Sequence, residues 1–116
     1  MTRNDIAARA RELALRLAAW PSVTGSAGEA AFADRLAREL SPFDVVRVEA
    51  IPGDPAKRSN VFALKRGRGR RTIVLTGHFD VVPVDDYGAL KPLAFDAQAL
   101  LPATMARLAR SGHHPA

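Results

Sequence analysis

Ile73-Val74-Leu75-Thr76-Gly77-His78-Phe79-Asp80-Val81-Val82-Pro83 is the stretch on which the fold of this chain turns. Its first three residues are a continuous apolar run and read as a buried strand. A His and an Asp two residues apart at the end of a strand can point to the same side, because side chains alternate with a period of two. One imidazole nitrogen can then bind a metal while the carboxylate holds the other N–H and fixes the ring. His78 is therefore the candidate metal ligand, and Asp80 the candidate catalytic-site residue that orients it.

Two further strands lie upstream. Val45 to Ala50 alternates in part and reads as a strand with one wet face. Pro52-Gly53-Asp54-Pro55 breaks it. Asn60 to Lys65 reads as the second strand and Arg71 to Thr76 as the third. The third lacks polar alternation, which predicts the most central position in the sheet. Between the last two lies Lys65-Arg66-Gly67-Arg68-Gly69-Arg70-Arg71. Its glycines and its flanking strands predict a solvated hairpin turn. A basic cluster can also bind nucleic acid, but no aromatic residue here offers a base a stacking platform. No nucleic-acid partner is expected.

The helices are read from spacing. Thr2 or Asn4 can cap the first, which carries Ile6, Ala10, Leu13, Leu17 and Trp20 on one face, predicted to pack into the core. Trp20-Pro21 ends it. Ser26 and Glu29 have capping-box spacing and open a second helix, which is predicted to bury Phe32, Ala33, Leu36 and Leu40. Ser41-Pro42 stops it. A polar, turn-like stretch from Pro83 to Asp96 precedes a last helix with Leu101, Met105 and Leu108 on one face. Pro102 opens or kinks this helix, and Gly112 ends it. Residues 113–116 are expected to be a loose tail. The layout is α/β, with helices packed on a mixed sheet. A three-stranded sheet with an apolar central strand wants more strands beside it, and its open edge is an aggregation hazard. The domain therefore reads as incomplete.

Composition bounds the function. The chain has 116 residues, 47 % of them hydrophobic, and a net charge of +5, which suits one small globular domain. No apolar run is long enough to span a bilayer, and no membrane partner is expected. Arg9, Arg11 and Arg16 interrupt any secretory h-region. There is no cysteine, which excludes disulfides and thiolate metal sites. A cytoplasmic location is expected on these grounds. No phosphate-binding glycine loop and no Gly-x-Ser-x-Gly elbow is present. Asp85-Asp86-Tyr87-Gly88 reads first as a turn, and Asp96 as a helix cap. His113 and His114 read as tail residues. A lone His beside a strand is more often a packed residue than a ligand; the residues around His78 favour the ligand.

Gly77-His78-Phe79-Asp80-Val81-Val82-Pro83 resembles the first metal motif of the dizinc amidohydrolase and exopeptidase family. That family includes succinyl-diaminopimelate desuccinylase, acetylornithine deacetylase, aminoacylase and glutamate carboxypeptidase. Pro21-Ser22-Val23-Thr24-Gly25 with Glu29 looks like the family's opening segment, and Asn60-Val61-Phe62-Ala63 like its second strand. Asp86-Tyr87-Gly88 and Leu93-Ala94-Phe95-Asp96 are similar to one branch, that of the arginine-utilisation protein RocB. The resemblance spans most of residues 6 to 110.

The resemblance implies that His78 is a zinc ligand and that Asp80 clamps it. It implies two zinc ions in the intact enzyme, at most weak zinc binding by this chain, and a small peptide or N-acyl amino acid as substrate. The family's bridging Asp, Glu-Glu pair, further acidic ligand and distant His are not found after Asp80. Residues 1–112 are thus expected to be a partial, zinc-peptidase-like catalytic domain, the N-terminal piece of a metal-dependent amide hydrolase, and inactive alone. The alternative is a non-catalytic remnant or a small basic binding module. Reading the encoding DNA past residue 116 for Gly-Arg-Gly-x-x-Asp separates the two.

Overall fold

The computed structural model describes residues 2–112. The expected tail at 113–116 lies outside the described residues. Three α-helices, a two-stranded antiparallel sheet and one 3-10 segment follow in the order α1 (Arg3–Ala18), α2 (Ala27–Glu39), β1 (Val45–Ala50), β2 (Ser59–Leu64), the 3-10 segment Asp85–Leu93 and α3 (Ala97–Arg110). This is a mixed α/β fragment with α2 packed on the sheet. The chain divides into two compact units: Ser22–Val82, and the N-terminal segment through Pro21 together with the segment from Pro83 onward.

In the unit Ser22–Val82, β1 and β2 pair in register from Val45 opposite Leu64 to Ala50 opposite Ser59. Helix α2 lays Phe32 and Ala33 against them, and among the described residues these two are the buried hydrophobic side chains. Leu36 and Leu40, predicted to be buried, are half-buried. The α2 cap is half of the expected box. The Ser26 hydroxyl accepts the Glu29 N–H at 3.2 Å. The Glu29 carboxylate reaches past Ser26 to the Gly25 N–H at 2.5 Å, because the Ser26 N–H is already given to the Val23 carbonyl at 2.9 Å.

The loop between β1 and β2 is built around Asp54, which sequence reading takes only as a strand breaker. Its side chain is 4 % exposed. It accepts the Arg58 N–H at 2.9 Å, Arg58 Nε at 2.7 Å and Arg58 Nη2 at 3.0 Å, with the Ala56 N–H at 3.3 Å. Two residues bend the loop with positive φ, Gly53 at 74° and Lys57 at 55°. The first needs glycine; the second imposes a strain that the Asp54 network holds in place.

The third strand does not form. Residues 71–80 have no regular structure, and Ile73, Val74 and Leu75 are 85 %, 83 % and 90 % exposed. His78 is therefore not at the end of a central strand. The physical reason is one of partners. An apolar strand is stable when neighbours take its backbone bonds and cover both faces, and among the described residues neither outer edge of the β1–β2 sheet pairs with residues 71–76. For the same reason, Lys65–Arg71 is an exposed bend and not a hairpin turn. Its start is pinned by Asp44, which accepts the Arg66 N–H at 2.6 Å.

In the other unit, Thr2 caps α1 in a complete capping box with Asp5. The predicted core face of α1 is not buried: Ile6 and Leu13 are exposed, and Leu17 and Trp20 half-buried. The stretch expected to be turn-like is a 3-10 segment kinked at Gly88, where φ is +55°. Asp96 caps α3 through the Ala99 N–H at 3.0 Å. Pro102 lies inside α3, and Gly112 follows its end at φ +74°. Leu101 and Met105 are exposed, and Leu108 is half-buried.

Hydrogen bonds from the Arg58 side chain, then from its backbone, hold the Asp54 carboxyl well below the usual carboxylate range. A depressed folded pKa contributes stability above the unfolded value, about 3.9, that is lost as pH falls through the folded value. Asp54→Asn is expected to lower stability at neutral pH, with the gap to the parent closing below about pH 4. Urea unfolding at several pH values measures this. For the basic run, filter binding with DNA and RNA is expected to show no tight, salt-sensitive complex that Arg68, Arg70 and Arg71 support.

Candidate metal-ligand site

The candidate site is assembled by a short parallel contact between two remote loops. Val23 bridges Val81. The Val81 N–H donates to the Ser22 carbonyl at 3.0 Å, and the Thr24 N–H donates to the Val81 carbonyl at 2.9 Å. The buried Ser22 hydroxyl donates to the Phe79 carbonyl at 2.6 Å. Phe79 stacks on Phe32 of α2, with centroids 4.8 Å apart and rings 10° from parallel. These contacts seat Phe79 and Val81 on either side of Asp80 along the chain.

His78 and Asp80 are brought together. His78 Nδ1 lies 3.1 Å from Asp80 Oδ1 and 3.1 Å from the Asp80 carbonyl oxygen. A neutral ring that donates from Nδ1 to these acceptors leaves Nε2 with its lone pair. The ring is mostly exposed. The other Asp80 oxygen, Oδ2, accepts the Thr24 hydroxyl at 2.9 Å. That hydroxyl is also 3.1 Å from the Val81 carbonyl. The Thr24 hydrogen bond, and then the His78 contact, hold the Asp80 carboxyl below its ordinary value despite opposing desolvation. An anionic Asp80 is the form that best accepts the imidazole N–H.

Other acidic residues do not join this pair. Asp85 is ion-paired with Lys91, and Asp96 is spent on the α3 cap. His113 and His114 lie outside the described residues. Among the described residues, no group of three or more His, Asp or Glu side chains is placed to hold a metal ion. An open cleft of about 440 Å³ between the 3-10 segment and α3 is lined by Tyr87, Leu90, Thr104 and Arg107 among others, not by His78 or Asp80.

Sequence reading missed the parts played by Ser22, Thr24 and Arg58. Pro21-Ser22-Val23-Thr24-Gly25 stands out as a segment, but nothing in its spacing names Asp80 as a partner 56 residues away. Arg58 is raised above its ordinary value, first by Asp54 and further by the charges of Glu29 and Asp80.

The chain is 36 % identical over 103 residues to Protein RocB of Bacillus subtilis (strain 168), covering 81 % of this chain and 18 % of RocB. The chain is homologous to RocB. It is also 31 % identical over 111 residues to the uncharacterized protein YqjN of the same organism, covering 83 % of this chain and 20 % of YqjN. The chain thus spans about a fifth of the length of these curated relatives. No protein-family model matches it, and no solved structure does. Among the described residues, no helix is long and apolar enough to cross a membrane.

Thr24→Val keeps the shape of the side chain and removes the hydroxyl. The Asp80 pKa is expected to rise toward the ordinary value of about 3.9, as followed by carboxyl carbon NMR during an acid titration. An unchanged Asp80 titration would show that the Thr24 contact is not made in solution.

Proposed function

We propose that this chain is the N-terminal portion of a zinc-dependent amide hydrolase, in which His78 is a metal ligand and Asp80 its orienting carboxylate. The observation that carries the reading is the Nδ1 to Oδ1 contact at 3.1 Å. A ring that donates from Nδ1 to that oxygen has its Nε2 lone pair free for a metal, which supports the ligand role. A packed structural histidine would be expected to be covered; this one is exposed. Homology to RocB supports the reading, as does the Gly-His-x-Asp-Val-Val-Pro motif.

The proposed substrate is a peptide or an N-acyl amino acid, and an arginine-utilisation role follows from the resemblance to the RocB branch. The proposed cofactor is a pair of zinc ions in the intact enzyme, held jointly with residues outside this chain. A catalytic zinc takes about three protein ligands and an open position for water. The described residues supply one imidazole with its orienter, which does not fit such a site by itself. This chain's own share of the chemistry is to present Nε2 and to hold the ring still. Asp80 fixes the tautomer, Thr24 fixes Asp80, and the bridge at Val81 fixes both.

The purified chain is expected to bind zinc weakly, because a single imidazole does not offset the loss of hydration and side-chain freedom. It is expected not to hydrolyse N-acyl amino acids. Long-range nitrogen–proton NMR is expected to show His78 protonated on Nδ1 near neutral pH, with added zinc perturbing Nε2 first. Asp80→Asn is expected to mix the tautomers. A ring protonated on Nε2, or zinc shifts that survive His78→Ala, would remove His78 from the site. Near-stoichiometric, chelator-sensitive zinc with turnover abolished by His78→Ala would show that this chain carries a complete site.

A further inference from the structure

Strand β1 keeps one backbone edge unused, and its side chains are self-complementary. The register sets Ala50 opposite Ser59. One residue further on, the Ile51 N–H donates to the Arg58 carbonyl at 3.0 Å. In an antiparallel pair the N–H and carbonyl of one residue turn the same way, and successive residues turn opposite ways. Val45, Arg47, Glu49 and Ile51 therefore turn toward β2, and Val46, Val48 and Ala50 toward the outer edge. The sheet is β1 and β2 alone, so among the described residues no strand pairs with that edge. It is bounded at both ends. The Asp44 N–H donates to the Leu64 carbonyl, and Pro52 has no N–H to give. Side chains alternate between two faces, so Val45, Arg47, Glu49 and Ile51 share one. Arg47 and Glu49 are exposed, and neither has an ion-pair partner among the described residues.

An unpaired strand edge is a template for another strand. We propose that two copies of this chain join through the outer edges of β1, antiparallel about a two-fold axis at Val48, into one continuous sheet. With that axis, Val48 exchanges both backbone hydrogen bonds with the partner's Val48, and Val46 does so with the partner's Ala50. These are the residues whose N–H and carbonyl groups turn outward. Between them, Arg47 meets the partner's Glu49, and symmetry repeats that ion pair. Val45 meets the partner's Ile51, apolar against apolar. No neighbouring axis does as well. An axis at Arg47 opposes two guanidinium groups, and one at Glu49 opposes two carboxylates. An axis at Val46 sets Arg47 against a valine. An axis at Ala50 sets Pro52 against Val48, where a donor is required. Opposite charges across a strand pair stabilise it and like charges destabilise it, so the Val48 register is selected over the others. The outer edge of β2 is different: Ser59–Leu64 carries no charged residue and offers no such selection. Pairing through β1 uses up that edge on both copies, so the assembly closes at two.

Sedimentation velocity of the 116-residue chain at low salt is expected to show a concentration-dependent dimer. Hydrogen exchange by NMR is expected to show the Val46, Val48 and Ala50 amides gaining protection as concentration rises. The Arg47 and Glu49 amides, already bonded to β2, should change little. Arg47→Glu and Glu49→Arg each set like charges opposite each other twice, and each is expected to weaken the dimer about tenfold or more. The double exchange restores the pairing and is expected to restore the dimer. That rescue cannot come from misfolding, since it adds a second change to an already altered chain. Ala50→Pro removes an outward N–H, which an edge strand tolerates in the monomer, and is expected to abolish the dimer while circular dichroism stays unchanged. A monomer at all concentrations overturns the proposal. So does a dimer whose Val46, Val48 and Ala50 amides stay unprotected, an open-ended assembly, or two charge changes whose effects merely add.

Discussion

The contact on which the rest depends is the two-bond bridge between Ser22–Thr24 and Val81. It joins segments almost sixty residues apart, so its formation carries a loop-closure cost. Several favourable terms offset that cost together: two backbone bonds, the Ser22 hydroxyl bond to Phe79, and the Phe32–Phe79 stack. The stack adds apolar contact at Phe32, one of the buried side chains. The hydrogen bonds set direction. Without the bridge, the loop carrying His78 and Asp80 would have no fixed relation to α2 or to Thr24.

A second constraint is electrostatic. Much of this small fold is held by carboxylates that accept backbone N–H groups. Asp5 does so at the start of α1, Asp44 at Arg66, Asp54 at Ala56 and Arg58, and Glu29 at Gly25. Asp5, Asp44 and Asp54 are shifted below their ordinary values, chiefly by those hydrogen bonds or, for Asp54, by the Arg58 side chain. With Phe32 and Ala33 as the buried apolar side chains among the described residues, such polar anchors carry an unusual share of local order. They fix loops by direction, which apolar burial cannot do.

The site shows how far local sequence reaches. His78 and Asp80 are two residues apart, so their mutual geometry is a local matter of one short segment, and the spacing was legible. Thr24 was not, because a threonine in a loop gives no sign of which carboxylate it will meet. Asp54 was misread for a related reason. Pro-Gly-Asp-Pro signals a turn, but the fork it forms with Arg58 depends on how the chain returns into β2. Ile73–Leu75 failed in the opposite direction. Its apolar pattern is a strand pattern, yet a strand exists only where another edge accepts its hydrogen bonds.

Sequence alone determined the three helices, the two strand segments β1 and β2, the Asp96 cap, and the adjacency of a histidine and a carboxylate. These are short-range matters of periodicity, capping chemistry and spacing, carried by neighbours along the chain. Tertiary structure alone decided which carboxylate Thr24 holds, which backbone N–H Glu29 takes, and whether the apolar run at 73–75 is a strand. Each of those depends on a donor or an edge brought from elsewhere in the chain, and a hydrogen bond has no energy until both of its partners are in place.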